Sequence, residues 1–245
     1  GETGNFLIPN YASIGLLSSY NTSFDGALTN GIAPSTISNQ DLSWEKTTSF
    51  DIGLDFGFLN DRIYGSLEYF KSTTTDLLLA VQIPSALGFT NALTNIGEVV
   101  NKGFEISVTS RNLTGVLNWT TDFNFSTIDN EVTKLGPSGD PILSRGGAGN
   151  RHITKIGEPI GSYYGYQTDG IYQNQAEIDN SSIVDQIATP QPGDFKWVDV
   201  NNDGFINSAD RTTIGNYLPD FTYGITNRFE YNNFEFSFLL QGVEG

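Results

Sequence analysis

The sequence predicts an all-β, antiparallel fold, and three features support this prediction. Apolar and polar residues alternate along six segments, which places successive side chains on opposite faces of a strand. Short turns rich in Asn, Asp and Gly join three pairs of these segments. No run of about eighteen apolar residues is present, so a membrane-spanning helix is not expected.

The clearest alternating segment is SFDIGLDFGF at residues 49–58. Its apolar side chains all point one way, while Ser, Asp and Gly point the other way; the apolar set is Phe50, Ile52, Leu54, Phe56 and Phe58. The same period predicts five further strands, at 62–69, 104–109, 117–126, 222–231 and 234–241. Asn227 is out of character, because it is a polar residue on an apolar side.

The connections between these strands alternate in length. Tight turns are predicted at 59–62, 112–115 and 231–234, whereas loops of roughly twenty-five residues after Thr75 and roughly ninety residues after Asn130 separate the hairpins. This layout predicts an antiparallel transmembrane β-barrel segment with short periplasmic turns and long extracellular loops.

A soluble, calcium-stabilised β-sandwich that binds glycans is the alternative, since sandwich strands also alternate. The polar faces carry acidic residues, which suit a watery lumen, and the apolar faces are crowded with Phe, Leu and Ile. Both features favour the membrane barrel. Near the strand ends, Phe58, Tyr69, Trp119 and Tyr231 are candidates for aromatic girdles at the membrane interfaces.

Composition excludes several classes of function. The 245 residues carry 12 Lys plus Arg against 28 Asp plus Glu, a net charge of −16, without a basic cluster that could bind nucleic acid. Cysteine is absent and His152 is the single histidine, which excludes thiolate or histidine-rich metal sites and cysteine nucleophiles. No nucleophile motif accompanies His152 and no pair of carboxylates stands out, so we do not expect an enzyme.

Five segments in a fixed order give the chain a family resemblance. They are NQDLSWEKTTSFDIGLDFGFLNDRIYGSLEYFKSTTTDLLL at 39–79, TNIGEVVNKGFEIS at 94–107, GEPIGSYYGYQTDGIYQNQAEI at 157–178, PGDFKWVDVNNDGFINSADRTTIGNYLPDFTYGITN at 192–227 and YNNFEFSFLLQGVEG at 231–245. Together these segments resemble the SusC/RagA-type TonB-dependent outer-membrane transporters. Leu42, Trp44, Glu45 and the run from Asp76 to Leu79 match that family, whereas Gln40 stands where the family usually has Pro.

The resemblance implies a location in the outer membrane of a Gram-negative bacterium, in contact with its lipids, and a role in uptake of glycan or peptide ligands. It also implies two partners: a SusD-like surface lipoprotein, and TonB, reached through an N-terminal region that we do not find here. We therefore expect the chain to be a segment of a longer protein. Four regions are predicted: an extracellular loop region at 1–46, four barrel strands at 47–130, a long extracellular loop at 131–218 and two barrel strands at 219–245.

The stretch DVNNDGFINSAD at 199–210 has the spacing of a calcium-binding loop. Oxygen donors recur at alternate positions and Gly204 permits the sharp turn; the candidate ligands are Asp199, Asn201, Asp203, the carbonyl of Phe205, Asn207 and Asp210. The twelfth position is Asp rather than the bidentate Glu of an EF-hand. The alternative is a metal-free loop closed by its own Asx turns.

Four tyrosines in the same long loop are candidate ligand-binding residues: Tyr163, Tyr164, Tyr166 and Tyr172. Their rings could stack on sugars, which would suit a glycan transporter. The alternative is that they pack the loop against the mouth of the barrel.

Overall fold

A computed structural model of the protein describes residues 14–24, 26–83, 88–89, 91–136, 138–146 and 149–245. The first thirteen residues of the region predicted at 1–46 therefore lie outside the described residues. Six strands precede the longest connection of the chain: β1 (Leu17–Phe24), β2 (Ala27–Pro34), β3 (Lys46–Phe58), β4 (Ile63–Gln82), β5 (Asn91–Leu113) and β6 (Leu117–Ser126).

The segment after β6 forms short strands and one short helix. They are β7 (Asp129–Leu135), β8 (Ile142–Gly146), β9 (Gly149–Thr154), β10 (Ser162–Tyr166), β11 (Thr168–Ile171), α1 (Gln175–Asp179), β12 (Val184–Asp185), β13 (Phe195–Trp197), β14 (Phe205–Ile206) and β15 (Arg211–Gly215). Two long strands follow, β16 (Phe221–Tyr231) and β17 (Phe234–Glu244). Among the helices of the described ranges, none has the length and apolar character needed to cross a membrane.

The long strands form one antiparallel sheet in the order β17-β16-β6-β5-β4-β3, with β7 added to β5. All six strands predicted from the alternation are confirmed, as are the short turns from β3 to β4, from β5 to β6 and from β16 to β17. The turn from β3 to β4 places Leu59, Asn60 and Asp61 at positive φ, and Asn232 does the same between β16 and β17. Asn and Asp tolerate that conformation better than most residues, which explains why they occupy these turns.

The register keeps the apolar residues of neighbouring strands side by side. One row runs through Leu54, Leu67, Ile106, Phe125 and Tyr223, each directly opposite the next. We call the side that carries this row the apolar face. Because opposite residues in a sheet share a face, the apolar face is continuous across the sheet.

The other side, the polar face, is also continuous. Directly beside the first row, Asp55, Ser66, Ser107, Asn124 and Gly224 are paired in the same way. The two faces therefore differ in chemistry along the whole sheet, as expected for a barrel wall with lipid on one side and water on the other.

The apolar face is uncovered, and this overturns the sandwich alternative. Phe50, Ile52 and Leu54 are 58, 59 and 62 % exposed, although they are the most apolar residues of β3. In a sandwich such residues would be buried against a second sheet about 10 Å away. The structure is instead an antiparallel transmembrane β-barrel segment.

The predicted loop after Thr75 is wrong. β4 continues to Gln82 and β5 already begins at Asn91, so most of the expected loop is an extension of the β4–β5 hairpin. The register shifts between Thr74 and Leu78, where the chain bulges. Alternation breaks at a bulge, which explains why the period of two did not reveal the outer part of the hairpin.

The outer part of the hairpin carries the main buried cluster of the described residues. Val99 packs with Val132 and Leu135 of β7, and further apolar side chains surround them: Leu77, Leu79, Ile142 and Ile160. Asn130 fixes this packing, because its side chain donates to Asn101 Oδ1 at 2.6 Å and accepts the N–H of Ile160 at 2.8 Å. The extended hairpin is thus joined to the segment that follows β6.

The uncovered apolar face leads to a prediction about membrane assembly. In the full-length protein, Leu54→Lys should destabilise the folded barrel by about 2–4 kcal/mol, because it places a charge on the lipid side. Asp55→Lys is the matched control, since the neighbouring residue points to the polar face. The folded fraction in detergent, read from heat-dependent gel mobility, measures both. Equal losses would contradict the assignment of the two faces.

Candidate functional site

A network of hydrogen bonds, which we call the rim clasp, holds the extended part of the β4–β5 hairpin to the segment that leads into β3. Its residues are Asn39, Ser43, Glu45, Asp76 and Asn95. The Asn95 side chain accepts the N–H of Ser43 at 2.9 Å and donates to the carbonyls of Ser43 at 2.8 Å and Asp76 at 2.6 Å. It therefore replaces the missing backbone partners at a bulge.

Two further contacts complete the rim clasp. The Glu45 carboxylate accepts the N–H of Leu78 at 3.0 Å, and the Asn39 amide donates to the carbonyl of Leu93 at 3.0 Å. Asp76 adopts a φ of 59°, which turns its carbonyl toward Asn95. Glu45, Asp76 and Asn95 lie in the segments that carry the family resemblance. These segments therefore share one structural role, which is to hold the β4–β5 hairpin to the chain before β3.

The polar face offers hydrogen-bonding groups and negative charge to the barrel interior. Glu68 and Glu105 are directly opposite each other, and they border a recess of about 400 Å³ whose other polar lining residues are Ser66, Ser107, Asn124 and Ser126. Thr109 donates to Asp122 at 2.6 Å on the same face. This surface suits a polar, hydroxylated or cationic ligand rather than an anion.

All six residues predicted as calcium ligands lie in one loop, residues 199–210, which we call the Asp210 loop. Asp199 accepts the N–H groups of Asp203 at 3.2 Å and Gly204 at 2.7 Å. Asp203 accepts from Phe205 N–H at 2.9 Å and from the Asn201 amide at 3.0 Å, and Asn207 caps a 3-10 turn by accepting from Ala209 N–H at 2.9 Å. Gly204 has a φ of 85°, as the sharp turn requires.

Asp210 anchors the loop from inside. Its side chain is fully buried, and its two oxygens accept the N–H groups of Val200 at 3.0 Å and Asn207 at 2.8 Å. The hydrogen bond from Asn207, followed by that from Val200, holds the pKa of Asp210 below its usual value, although burial opposes this shift. The carboxylate is therefore charged at neutral pH.

These hydrogen bonds bear on the calcium prediction. Every carboxylate of the loop already accepts backbone N–H groups, which is the arrangement of the metal-free Asx-turn alternative. In the part of the chain that the structure describes, no group of three or more His, Cys, Asp or Glu could hold a metal ion. The loop is thus closed by its own side chains, and calcium binding stays a prediction.

The four candidate tyrosines do not form one surface. Tyr164 and Tyr166 share a face of β10 and flank the guanidinium of Arg211, whose central carbon lies 4.5 and 5.9 Å from the two ring centroids. Tyr172 is 8 % exposed, so its ring packs inside the folded segment. Tyr163 is 43 % exposed, the most exposed of the four, and its ring centroid lies 5.8 Å from that of His152.

Arg211 and Trp197 contribute to this cluster and were not predicted from the sequence. Arg211 donates to the Tyr164 carbonyl at 3.1 Å, and Trp197 lies 5.6 Å from Tyr166 between ring centroids. Both residues are distant from β10 in the chain, and only the pairing of β10 with β15 brings Arg211 opposite Tyr166. A local pattern therefore carried no signal for them.

The sheet, its two faces and the folded segment between β6 and β16, which we call the outer segment, define a wall segment of an outer-membrane β-barrel. The family model described as TonB dependent receptor-like, beta-barrel matches residues 9–238. The chain belongs to this family of TonB-dependent receptors.

Relatives and solved structures agree with this assignment. TonB-dependent receptor P26 of Formosa agariphila is 36 % identical over 100 % of the chain, and TonB-dependent receptor SusC of Bacteroides thetaiotaomicron is 35 % identical over 83 %. The RagAB peptide importer in its open-open state matches 96 % of the chain with a TM-score of 0.72 at 23 % identity, which shows the fold. The chain spans 25 % of the length of P26, 20 % of SusC and 24 % of the matched RagAB chain.

The rim clasp predicts a specific effect of Asn95→Asp in the full-length protein. The substitution keeps an acceptor for Ser43 N–H but removes the donors to the two carbonyls, so hydrogen exchange should rise in residues 76–82 and 91–97. Asn21→Asp, an exposed position on the β1–β2 hairpin, is the matched control. Unchanged protection in Asn95→Asp would show that the clasp does not hold the hairpin.

The buried Asp210 predicts how the loop responds to acid. Because its pKa is lowered by folding, its contribution to stability is present above the ordinary carboxyl pKa and is lost as the pH falls through the folded value. Protection of residues 199–210 should therefore persist down to about pH 4 and fall below it. Asp210→Asn should lose that protection already at pH 7, whereas exposed Asp179→Asn should not. Hydrogen exchange corrected for intrinsic rates measures both.

Proposed function

We propose that the chain forms part of the barrel wall and outer segment of a TonB-dependent transporter in the outer membrane of a Gram-negative bacterium. The observation that carries the proposal is the continuous register of the long strands, which separates an uncovered apolar face from an acidic, hydrogen-bonding face. Such a wall separates lipid from a watery passage. The extracellular position of the segment after β6 is part of the same proposal.

The cargo we propose is a glycan or a peptide, captured with a SusD-like surface lipoprotein. Likeness in fold to the RagAB peptide transporter supports a peptide, and the family resemblance of the sequence, with SusC among its relatives, supports a glycan and the lipoprotein partner. The polar face supplies carboxylates and hydroxyls, and Tyr163 supplies an accessible ring, which together suit a polar solute with apolar patches. TonB is the second partner in this proposal.

A catalytic role is not part of the proposal. The chain belongs to the TonB-dependent receptors, which are transporters. A net charge of −16 also makes nucleic acid an unsuitable cargo, because both carry negative charge.

For the calcium-like loop we propose a local, stabilising role. A calcium ion bound by Asp199, Asn201, Asp203, Phe205, Asn207 and Asp210 would order residues 199–210 and leave the barrel strands unchanged. Titration of the full-length protein with calcium should then raise hydrogen-exchange protection of this loop in the wild type and not in Asp199→Ala with Asp203→Ala. Loss of strand content in the double variant would contradict a local role.

Transport is tested with the full-length protein in its bacterium. Uptake of labelled oligosaccharides and of labelled peptides is measured in the wild type, in a strain without this protein and in a strain without TonB. We expect uptake of one class to require both proteins. Uptake of both classes that is unaffected by either deletion would reject the proposal.

The same assay tests Tyr163. Tyr163→Ala should weaken uptake by about fivefold, since one aromatic contact contributes about 1 kcal/mol. Tyr217→Ala is the matched control, because Tyr217 is also exposed, at 52 %, but lies outside β10. Similar effects of the two variants would remove Tyr163 from the ligand path.

A further inference from the structure

Two lysines face each other on the apolar face of the sheet. Lys71 of β4 is directly opposite Phe50 on one side and Lys102 of β5 on the other, so both lysines share the face of Phe50. One row deeper, Tyr69 and Phe104 pack with ring centroids 5.0 Å apart. Like charges directly opposite each other destabilise a strand pair unless another group compensates for them.

Lys71 differs from every other lysine of the chain. Five of the six lysines form ion pairs with carboxylates within 4.0 Å: Lys46, Lys102, Lys134, Lys155 and Lys196. Lys71 is exposed and has no carboxylate partner among the described residues. Although the chain has 28 acidic residues, the charge of Lys71 is therefore open to a compensating negative charge from outside the chain.

The position of the two lysines identifies where that charge would lie. Along β5 the apolar face runs from Lys102 to Ser110, nine residues counted with both ends. A transmembrane β-strand needs about 9–11 residues to cross the hydrocarbon layer. The lysines therefore mark one border of the apolar band, at the end opposite the short turns.

The other border of the band is polar as well. Near the short turns, Ser110, Thr121 and Asn227 share one row of the apolar face. Asn227, which was out of character in the alternation, accepts hydrogen bonds from Trp119 Nε1 at 2.9 Å and Thr121 Oγ1 at 2.7 Å. A polar row with an indole donor is expected at the opposite membrane interface, so the two borders enclose one hydrocarbon layer.

We propose that Lys71 and Lys102 form a binding site for the phosphate group of a lipid headgroup in the outer leaflet. A phosphate between two ammonium groups removes their repulsion and forms charge-assisted hydrogen bonds with both. Asp129 lies 3.1 Å from Lys102 and Glu131 also acts on it, whereas Lys71 has no ion pair among the described residues, so Lys71 supplies the positive charge that is open to a phosphate. The Tyr69 and Phe104 rings lie where the acyl chains of the bound lipid begin. The inference rests on the proposed position of the sheet in the outer membrane.

The site is tested on the full-length protein in detergent micelles. Binding of lipid A and of chemically dephosphorylated lipid A is measured by native mass spectrometry. We expect the wild type to bind lipid A, and Lys71→Gln with Lys102→Gln to weaken this binding by about tenfold or more. Lys155→Gln with Lys196→Gln is the matched control, because it removes two lysines from the outer segment and should bind as the wild type does.

Three results would overturn the site: equal binding by the two double variants, equal binding of dephosphorylated lipid A, or displacement of lipid A by millimolar inorganic phosphate, which would indicate a free-phosphate site. Gel mobility and TonB-dependent uptake of the same variants separate the two proposals. Any of these three results, obtained with an intact barrel and intact uptake, refutes this site alone. Failure of the wild type to enter membranes refutes the proposed function.

Discussion

The structure depends on the antiparallel register of its long strands. In a hydrocarbon layer the backbone has no water to bind, so each N–H and C=O group must find its partner on a neighbouring strand. The register that satisfies the backbone also sets the faces, because a slip of one residue would move every apolar side chain of a strand to the polar side. In this sheet the same register aligns Leu54, Leu67, Ile106 and Phe125 from strand to strand.

The extended part of the β4–β5 hairpin needs other stabilisation. β4 continues past Thr75, the partner of Lys46 at the start of β3, so the extension lacks a neighbouring strand on that side. Two devices replace it: the buried cluster around Val99, Val132 and Leu135, and the rim clasp centred on Asn95. The clasp uses side-chain amide and carboxylate groups because the bulge near Asp76 interrupts the regular ladder, and unpaired backbone groups are costly.

In the Asp210 loop, too, side chains pair with backbone groups that no strand satisfies. A tight loop with few backbone pairs is closed by carboxylates, and the most important carboxylate is buried and fully hydrogen-bonded. This explains how a sequence with the spacing of a calcium loop can be ordered by its own side chains. The spacing of oxygen donors that suits a cation also suits successive backbone N–H groups.

The sequence by itself determined the strands that cross the membrane band, their faces and their turns, because alternation and turn chemistry are local and a lipid-facing wall tolerates few exceptions. It also placed the candidate residues of the Asp210 loop together, since they are neighbours in the chain. Only the tertiary structure decided the extension of the β4–β5 hairpin, the separation of Tyr163 from Tyr164 and Tyr172, and the pairing of Lys71 with Lys102. Each of these depends on contacts between residues far apart in the chain, and a repeat of two residues contains no information about which strand lies alongside.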